Sequence, residues 1–343
     1  MPVHAFVFPG QGSQSVGMGR DLAAAFAAAR EVFQEVDETL KQKLSKLMFE
    51  GPGEQLTLTE NTQPALMAMS LAVLRVLETE GGFTLPRKAI LVAGHSLGEY
   101  SALAAAGAFT VADAARLLKL RGLAMQKAVP AGEGAMAALI GAEMALAQEI
   151  CDEAAVVPAD EPKNDAISED DENNPKSNSS NPGTTEVIQP ANDNGGGQVV
   201  ISGARTAVER AVEIARTKGV RRAMLLPVSA PFHCALMAPA ADAMAEALQA
   251  TPPSAPIVPL IANVSAAKVM DPVEIRELLI RQVTTTVRWR ECVQTILAIG
   301  VDSFVELGAG KVLTGLTRRI APDAATAAAA GTPAEIEALL KLL

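Results

Sequence analysis

At 343 residues with 49% hydrophobic side chains and a net charge of -10, the chain is long enough to bury a sizeable core, and it lacks the basic excess that nucleic-acid binding needs. Its three cysteines, Cys151, Cys234 and Cys292, are odd in number and far apart, which fits reduced thiols in the cytoplasm. No run approaches the roughly 18 apolar residues of a membrane span and no leader pattern opens the chain, so a soluble, unprocessed cytoplasmic protein without membrane or nucleic-acid partners is expected.

Residues 3–8 read as a buried strand, halted at Pro9 and followed by Gly10-Gln11-Gly12-Ser13-Gln14. A dinucleotide fingerprint fails here because its third glycine would fall at Ser15. The loop is either an ordinary tight turn or a backbone cradle for an anion or oxyanion. Helical spacing covers residues 20–47 and 62–79, the second with Leu66, Met69, Val73 and Leu77 on one side. The apolar run 90–93 then enters Gly94-His95-Ser96-Leu97-Gly98, which has the G-x-S-x-G form of a nucleophile elbow. Small residues 101–106 supply the helix that should follow; a glycine-rich turn with a surface serine is the alternative.

Thr110-x-x-Asp113 resembles a capping box opening a helix to about Ala128. Ala114, Leu117, Leu118, Ala124 and Met125 share one arc of it, and Arg121 falls inside that arc, whereas Arg116 and Lys119 lie opposite. A buried guanidinium needs an anion, either an internal carboxylate or a substrate carboxylate held bidentately.

Pro130-Ala131-Gly132 reads as a boundary. Strands at 135–140, 187–189, 198–202 and 222–228 and helices at 142–154 and 204–218 give a βαββαβ order. The predicted fold is α/β: a large α/β-hydrolase-like domain with a mostly parallel sheet, residues 1–130 and 229–343, plus a smaller ferredoxin-like subdomain, residues 131–228. An acidic segment at 158–186 interrupts the latter, with eight acids against Lys163 and Lys176, so it supplies six of the ten net negative charges. Poor in large apolar side chains, it is expected to be a mobile surface insert. Core strands are predicted at 257–261 and 303–307. The latter runs into Gly308-Ala309-Gly310-Lys311, whose spacing is wrong for a nucleotide phosphate loop.

Of three histidines, His4 opens the first strand and His95 adjoins the serine, which leaves His233 as the candidate general base, downstream of Ser96. Cys234 beside it lacks an elbow and reads as a small buried thiol. No Asp or Glu stands out as the group that orients the imidazole, and a backbone carbonyl could do so instead.

Taken together, Pro9-Gly10-Gln11-Gly12-Ser13-Gln14, Gly94-His95-Ser96-Leu97-Gly98-Glu99, Leu120-Arg121-Gly122 with Met125-Gln126, Gly134-Ala135-Met136-Ala137-Ala138, Pro231-Phe232-His233-Cys234-Ala235-Leu236-Met237 and Glu306-Leu307-Gly308-x-Gly310-Lys311-Val312-Leu313 occur in this order. In this the chain resembles the malonyl-CoA:acyl carrier protein transacylases. The resemblance implies Ser96 as nucleophile, His233 as its base, the Gln11 and Leu97 amides as oxyanion hole and Arg121 as the grip on the malonyl carboxylate. It further implies Gln282 as the residue whose carbonyl orients the histidine, Phe232 as a filter against branched acyl units, and Asn192 and Asn194 as site-lining residues. Here the two asparagines read Asn-Asp-Asn-Gly-Gly-Gly beside the acidic insert, a departure from the family pattern. Malonyl-CoA and acyl carrier protein are the implied partners of a monomer that requires no metal and no redox cofactor. A serine hydrolase or thioesterase, and a non-catalytic carrier-docking module, are the competing classes.

Overall fold

The computed structural model describes residues 3–158, 183–228, 230–323 and 326–343. Ten strands and fourteen α-helices alternate along the described chain. In order they are β1 (His4–Phe8), α1 (Arg20–Ala25), α2 (Ala27–Leu40), α3 (Leu44–Glu50), α4 (Gly53–Thr57), α5 (Thr59–Gly81), β2 (Ala89–Gly94), α6 (Gly98–Ala105) and α7 (Val111–Lys127). Then come β3 (Gly134–Ile140), α8 (Met144–Ala155), β4 (Ile188–Asp193), β5 (Gln198–Ala204), α9 (Arg205–Thr217) and β6 (Arg222–Leu225). The chain closes with α10 (Ala238–Ala250), β7 (Leu260–Ile261), β8 (Lys268–Val269), α11 (Pro272–Gln282), α12 (Trp289–Ala298), β9 (Ser303–Leu307), α13 (Val312–Ile320), β10 (Thr326–Ala330) and α14 (Pro333–Leu340).

Six strands form one sheet in the order β10-β9-β1-β2-β7-β8, parallel throughout except for the antiparallel β7–β8 pair. Its central strand β1 is buried at every position, as a sheet covered on both faces requires. The 20–47 region divides into α1, α2 and the start of α3 because Phe26 is extended and Lys41 left-handed. The apolar spacing survives these breaks, since each piece turns Leu22, Val32, Phe33, Leu44 or Met48 into the same core around α5. Two further expectations are shortened by proline. The strand predicted at 257–261 is paired only at Leu260–Ile261, after Pro259, with Ile257 exposed, and the one at 222–228 ends at Leu225, ahead of Pro227.

The second sheet is antiparallel, in the order β4-β5-β3-β6, which places the four strands of the βαββαβ unit second, third, first, fourth. Alternate residues of β3 explain its unbroken apolarity. Ala135, Ala137 and Leu139 pack with α8 and α9, while Met136 and Ala138 join the core of the larger sheet. The acidic insert lies, from 159 to 182, outside the described residues. Of its described residues, Thr185 bridges Val156 in antiparallel fashion, and Glu186 forms an ion pair of 2.6 Å with Arg210.

Candidate active site

The loops that leave β1 and β2 meet at the C-terminal edge of the parallel sheet. Ser96 stands in the turn from β2 to α6 with φ 54, a left-handed conformation costing on the order of 1 kcal/mol for a residue with a Cβ. The turn is so tight that a Cβ on Gly94 would lie 1.9 Å from the Gly98 carbonyl oxygen, and one on Gly98 would lie 2.2 Å from that of Phe8. Glycine at both positions is thus a steric requirement. Asn263 locks the turn: its Nδ2 donates to the Gly94 carbonyl at 2.7 Å, and its Oδ1 accepts from the Ser96 amide at 2.8 Å.

The first loop packs directly on this turn, since a Cβ on Gly10 would fall 2.6 Å from the His95 carbonyl oxygen. That contact brings Gln11 beside the elbow. Leu97 is the N-cap of α6, so its amide sits at the positive end of the helix. Neither the Gln11 nor the Leu97 N–H donates to another group among the described residues. Two such donors are what a developing oxyanion needs.

His233 also has positive φ, 60, and its Nε2 lies 2.7 Å from Ser96 Oγ. Its Nδ1 lies 2.8 Å from the Gln282 carbonyl oxygen, which can only accept. The proton therefore rests on Nδ1, and the lone pair of Nε2 faces the serine hydroxyl. Burial, reinforced by the nearby Arg121 charge, lowers the imidazole pKa to about 3, so the ring is neutral and able to take a proton.

Arg121 projects from α7 at 1% exposure. The approach is possible because Gly122 lets α7 touch α5: a Cβ there would be 2.6 Å from Glu60 Cα. Nη1 donates to Gln63 Oε1 at 2.8 Å, and Nη2 to Gln282 Oε1 at 3.0 Å and to Ser96 Oγ at 3.3 Å. Nε has no partner among the described residues, and Tyr100 offers its ring face at 5.8 Å. None of the ion pairs among the described residues includes Arg121. No carboxylate pairs with it directly there; the buried Glu99 acts on it only through space and through Gln282, so the guanidinium can still take an anion in direct contact.

The remaining candidates sit further from the hydroxyl. Asn194 Oδ1 accepts from His95 Nε2 at 2.9 Å, and Asn192 belongs to β4, where its backbone bridges Val287. Phe232 is buried in the main core immediately before His233. Three polar residues that support the site were not singled out by sequence: Gln63, Asn263 and Glu99, at 1%, 0% and 1% exposure. Gln63 gave no clear signal, because it closes the polar run Thr59-Glu60-Asn61-Thr62 at the start of α5. Asn263 gave no such signal, because its role depends on a loop after β7 folding back onto β2.

The acyl transferase domain family matches residues 5–173 and 162–335. The malonyl CoA-acyl carrier protein transacylase of Salmonella typhimurium is 44% identical over 340 residues, covering 99% of each chain. Among solved structures, an acyl-carrier-protein-S-malonyltransferase from Bartonella henselae superposes with a TM-score of 0.88 at 54% identity, over 99% of each chain. A malonyl-transacylase in complex with its type II PKS acyl-carrier protein superposes at 0.87 with 40% identity, covering 99% of this chain and 100% of that one. With a buried arginine beside an elbow serine and full-length likeness to these enzymes, the chain belongs to the malonyl CoA-acyl carrier protein transacylases of the acyl transferase domain family.

Proposed function

We propose that the protein moves malonyl from malonyl-CoA to the phosphopantetheine thiol of acyl carrier protein, through a malonyl ester on Ser96, in fatty-acid synthesis. The observation that carries this reading is Arg121, a buried guanidinium 3.3 Å from the Ser96 hydroxyl and paired only with neutral groups. A serine enzyme for uncharged acyl groups has no use for such a cation, whereas a free malonyl carboxylate would supply its missing anion.

In the first half-reaction His233 Nε2 takes the Ser96 proton as Oγ attacks the thioester carbonyl carbon. The amides of Gln11 and Leu97 hold the oxyanion, which collapses with cleavage of the C–S bond; His233 returns its proton to the departing coenzyme A thiolate. The carrier thiol then gives its proton to His233 and attacks the ester carbonyl, and Ser96 leaves with the proton restored. Gln282 keeps the imidazole in the productive tautomer through its backbone carbonyl, the part that a triad carboxylate plays elsewhere. Phe232 crowds the carbon between the two carbonyls, and Asn192 and Asn194 line the approach. The large body, residues 1–130 and 229–343, carries this machinery, with residues 131–228 as the smaller body beside it. A cytoplasmic monomer completes the reading; the buried, unpaired Cys151, Cys234 and Cys292 suit a reducing compartment.

Incubation with malonyl-CoA should place one malonyl group on Ser96, seen by intact mass and peptide mapping, and Ser96→Ala should remove it. An unlabelled wild-type protein would refute the proposal. Release of free malonate in the absence of carrier protein would make the enzyme a hydrolase. Arg121→Ala should reduce kcat/KM for malonyl-CoA about 10- to 100-fold more than for acetyl-CoA, since a charge-assisted hydrogen bond contributes about 1.5–3 kcal/mol.

A further inference from the structure

One carboxylate in this region takes no part in the chemistry described above. Glu99, on the first turn of α6, is 1% exposed, and both of its hydrogen bonds converge on one oxygen. Oε2 accepts from Gln282 Nε2 at 2.7 Å and from the Asn263 backbone amide at 3.1 Å. The two donors, Gln282 and Asn263, hold everything else. Asn263 Oδ1 accepts from the Ser96 amide, the Gln282 carbonyl accepts from His233 Nδ1, and Gln282 Oε1 accepts from Arg121 Nη2.

A glutamine amide has a donor end and an acceptor end, and only one orientation puts oxygen against a guanidinium. Gln282 Nε2 has three acceptors in reach: Glu99 Oε2 at 2.7 Å, the Ser96 carbonyl at 3.1 Å and Asn263 Oδ1 at 3.2 Å. The Glu99 oxygen is the nearest of these, which makes its bond the strongest. Resting on the transferase reading, we propose that Glu99 is a positioning residue which, as a hydrogen-bond acceptor, orients the Gln282 amide toward Arg121 and so sets the preference for malonyl over uncharged acyl donors. The arrangement keeps a carboxyl group near Arg121 without direct contact. A glutamate bound directly to the guanidinium would have to be displaced by every incoming substrate; with a glutamate acting through Gln282, only the long 3.3 Å contact of Nη2 with Ser96 Oγ has to give way.

Two variants separate acceptor from charge. Glu99→Gln keeps an acceptor oxygen where both bonds converge, and the preference for malonyl-CoA over acetyl-CoA, measured as the ratio of kcat/KM values for Ser96 acylation, should stay within about threefold of wild type. Glu99→Leu removes the acceptor, and the ratio should fall at least tenfold. In the Arg121→Ala background Glu99→Leu should leave the ratio unchanged, because the two residues act through one contact. Equal loss for both donors in folded Glu99→Leu protein would reduce Glu99 to a structural group and overturn the inference. Loss of the preference in Glu99→Gln would also overturn it, by showing that charge and not acceptance matters; this arm decides if Glu99→Leu does not fold. A wild-type enzyme that acylates Ser96 with neither donor would instead sink the transferase reading, so the two failures are distinct.

Discussion

His233 and Glu99 are both enclosed in the site, and burial moves their ionisation in opposite directions. For His233 the folded pKa, about 3, lies below the unfolded value near 6.5, so the native state resists protonation and loses stability as pH falls between those values. The catalytic corollary is that the base stays unprotonated through mild acid. Pre-steady-state acylation of Ser96 should therefore show no loss centred on pH 6.5, and an acid limb at the ordinary imidazole value would contradict the buried geometry. For Glu99, burial raises the carboxyl to about 7 against bonds from Asn263 and Gln282 that act to lower it. The native state then holds a proton that the unfolded chain releases near 4.5. The stability this contributes is full below 4.5 and lost as pH climbs through 7. The Tm of wild type minus that of Glu99→Gln should be larger at pH 5 than at pH 8, and a flat difference would argue against a raised carboxyl pKa.

Among the elements, glycine separates positions that form the site from positions that merely tolerate a missing side chain. Gly122→Ala would drive a methyl to 2.6 Å from Glu60 Cα and the Thr59 carbonyl oxygen, forcing α7 away from α5. Overpacking of this kind costs about 1–3 kcal/mol, and since α7 carries Arg121, the malonyl preference should fall with the Tm. Gly315 in α13 is the opposite case, with no atom within 4 Å of an added Cβ and no positive φ. Gly315→Ala should raise stability by about 0.5–1 kcal/mol without altering acylation, as thermal denaturation and Ser96 labelling would report. The elements also mark where local reading fails. β10 has the sequence Thr-Ala-Ala-Ala-Ala, which carries helix propensity, yet it pairs with β9 along all five residues. Its state is set by the edge of the sheet it completes.

For the molecule as a whole, the smaller sheet meets the larger body through the apolar Met136 and Ala138 and through a polar seam at β4. β4 joins the segment before α12 through backbone bonds of 2.9 Å, Val287 N–H to the Ala191 carbonyl and Asp193 N–H to the Val287 carbonyl. Asp193, its side chain 3% exposed, accepts from Arg290 Nε at 2.9 Å and Nη2 at 2.8 Å. One bond further along, Asn194 meets His95 next to the nucleophile. Asp193→Ala would strip a buried, doubly bonded partner from Arg290 and should destabilise by about 3–5 kcal/mol, reduced toward the low end because Arg290 retains 31% exposure. In a double-mutant cycle, adding Arg290→Ala should cost less than the sum of the separate losses; strict additivity would mean that the pair does not couple.

Sequence alone determined what depends on neighbours along the chain. The turn at Ser96 is written locally in Gly94 and Ser96, although Gly98 is also needed for the distant Phe8 carbonyl; the capping box at Thr110 is local, and the 3.6-residue phase of α7 turns Arg121 inward. The tertiary structure decided the groups that surround them, of which the family resemblance had given Gln282. Gln63 lies 58 positions from Arg121, Asn263 167 from Ser96 and Gln282 49 from His233. No periodicity spans such separations. These contacts exist because parallel strands, buried on both faces, must stack their C-terminal loops at one edge, and it is burial there that leaves Arg121 in want of an anion.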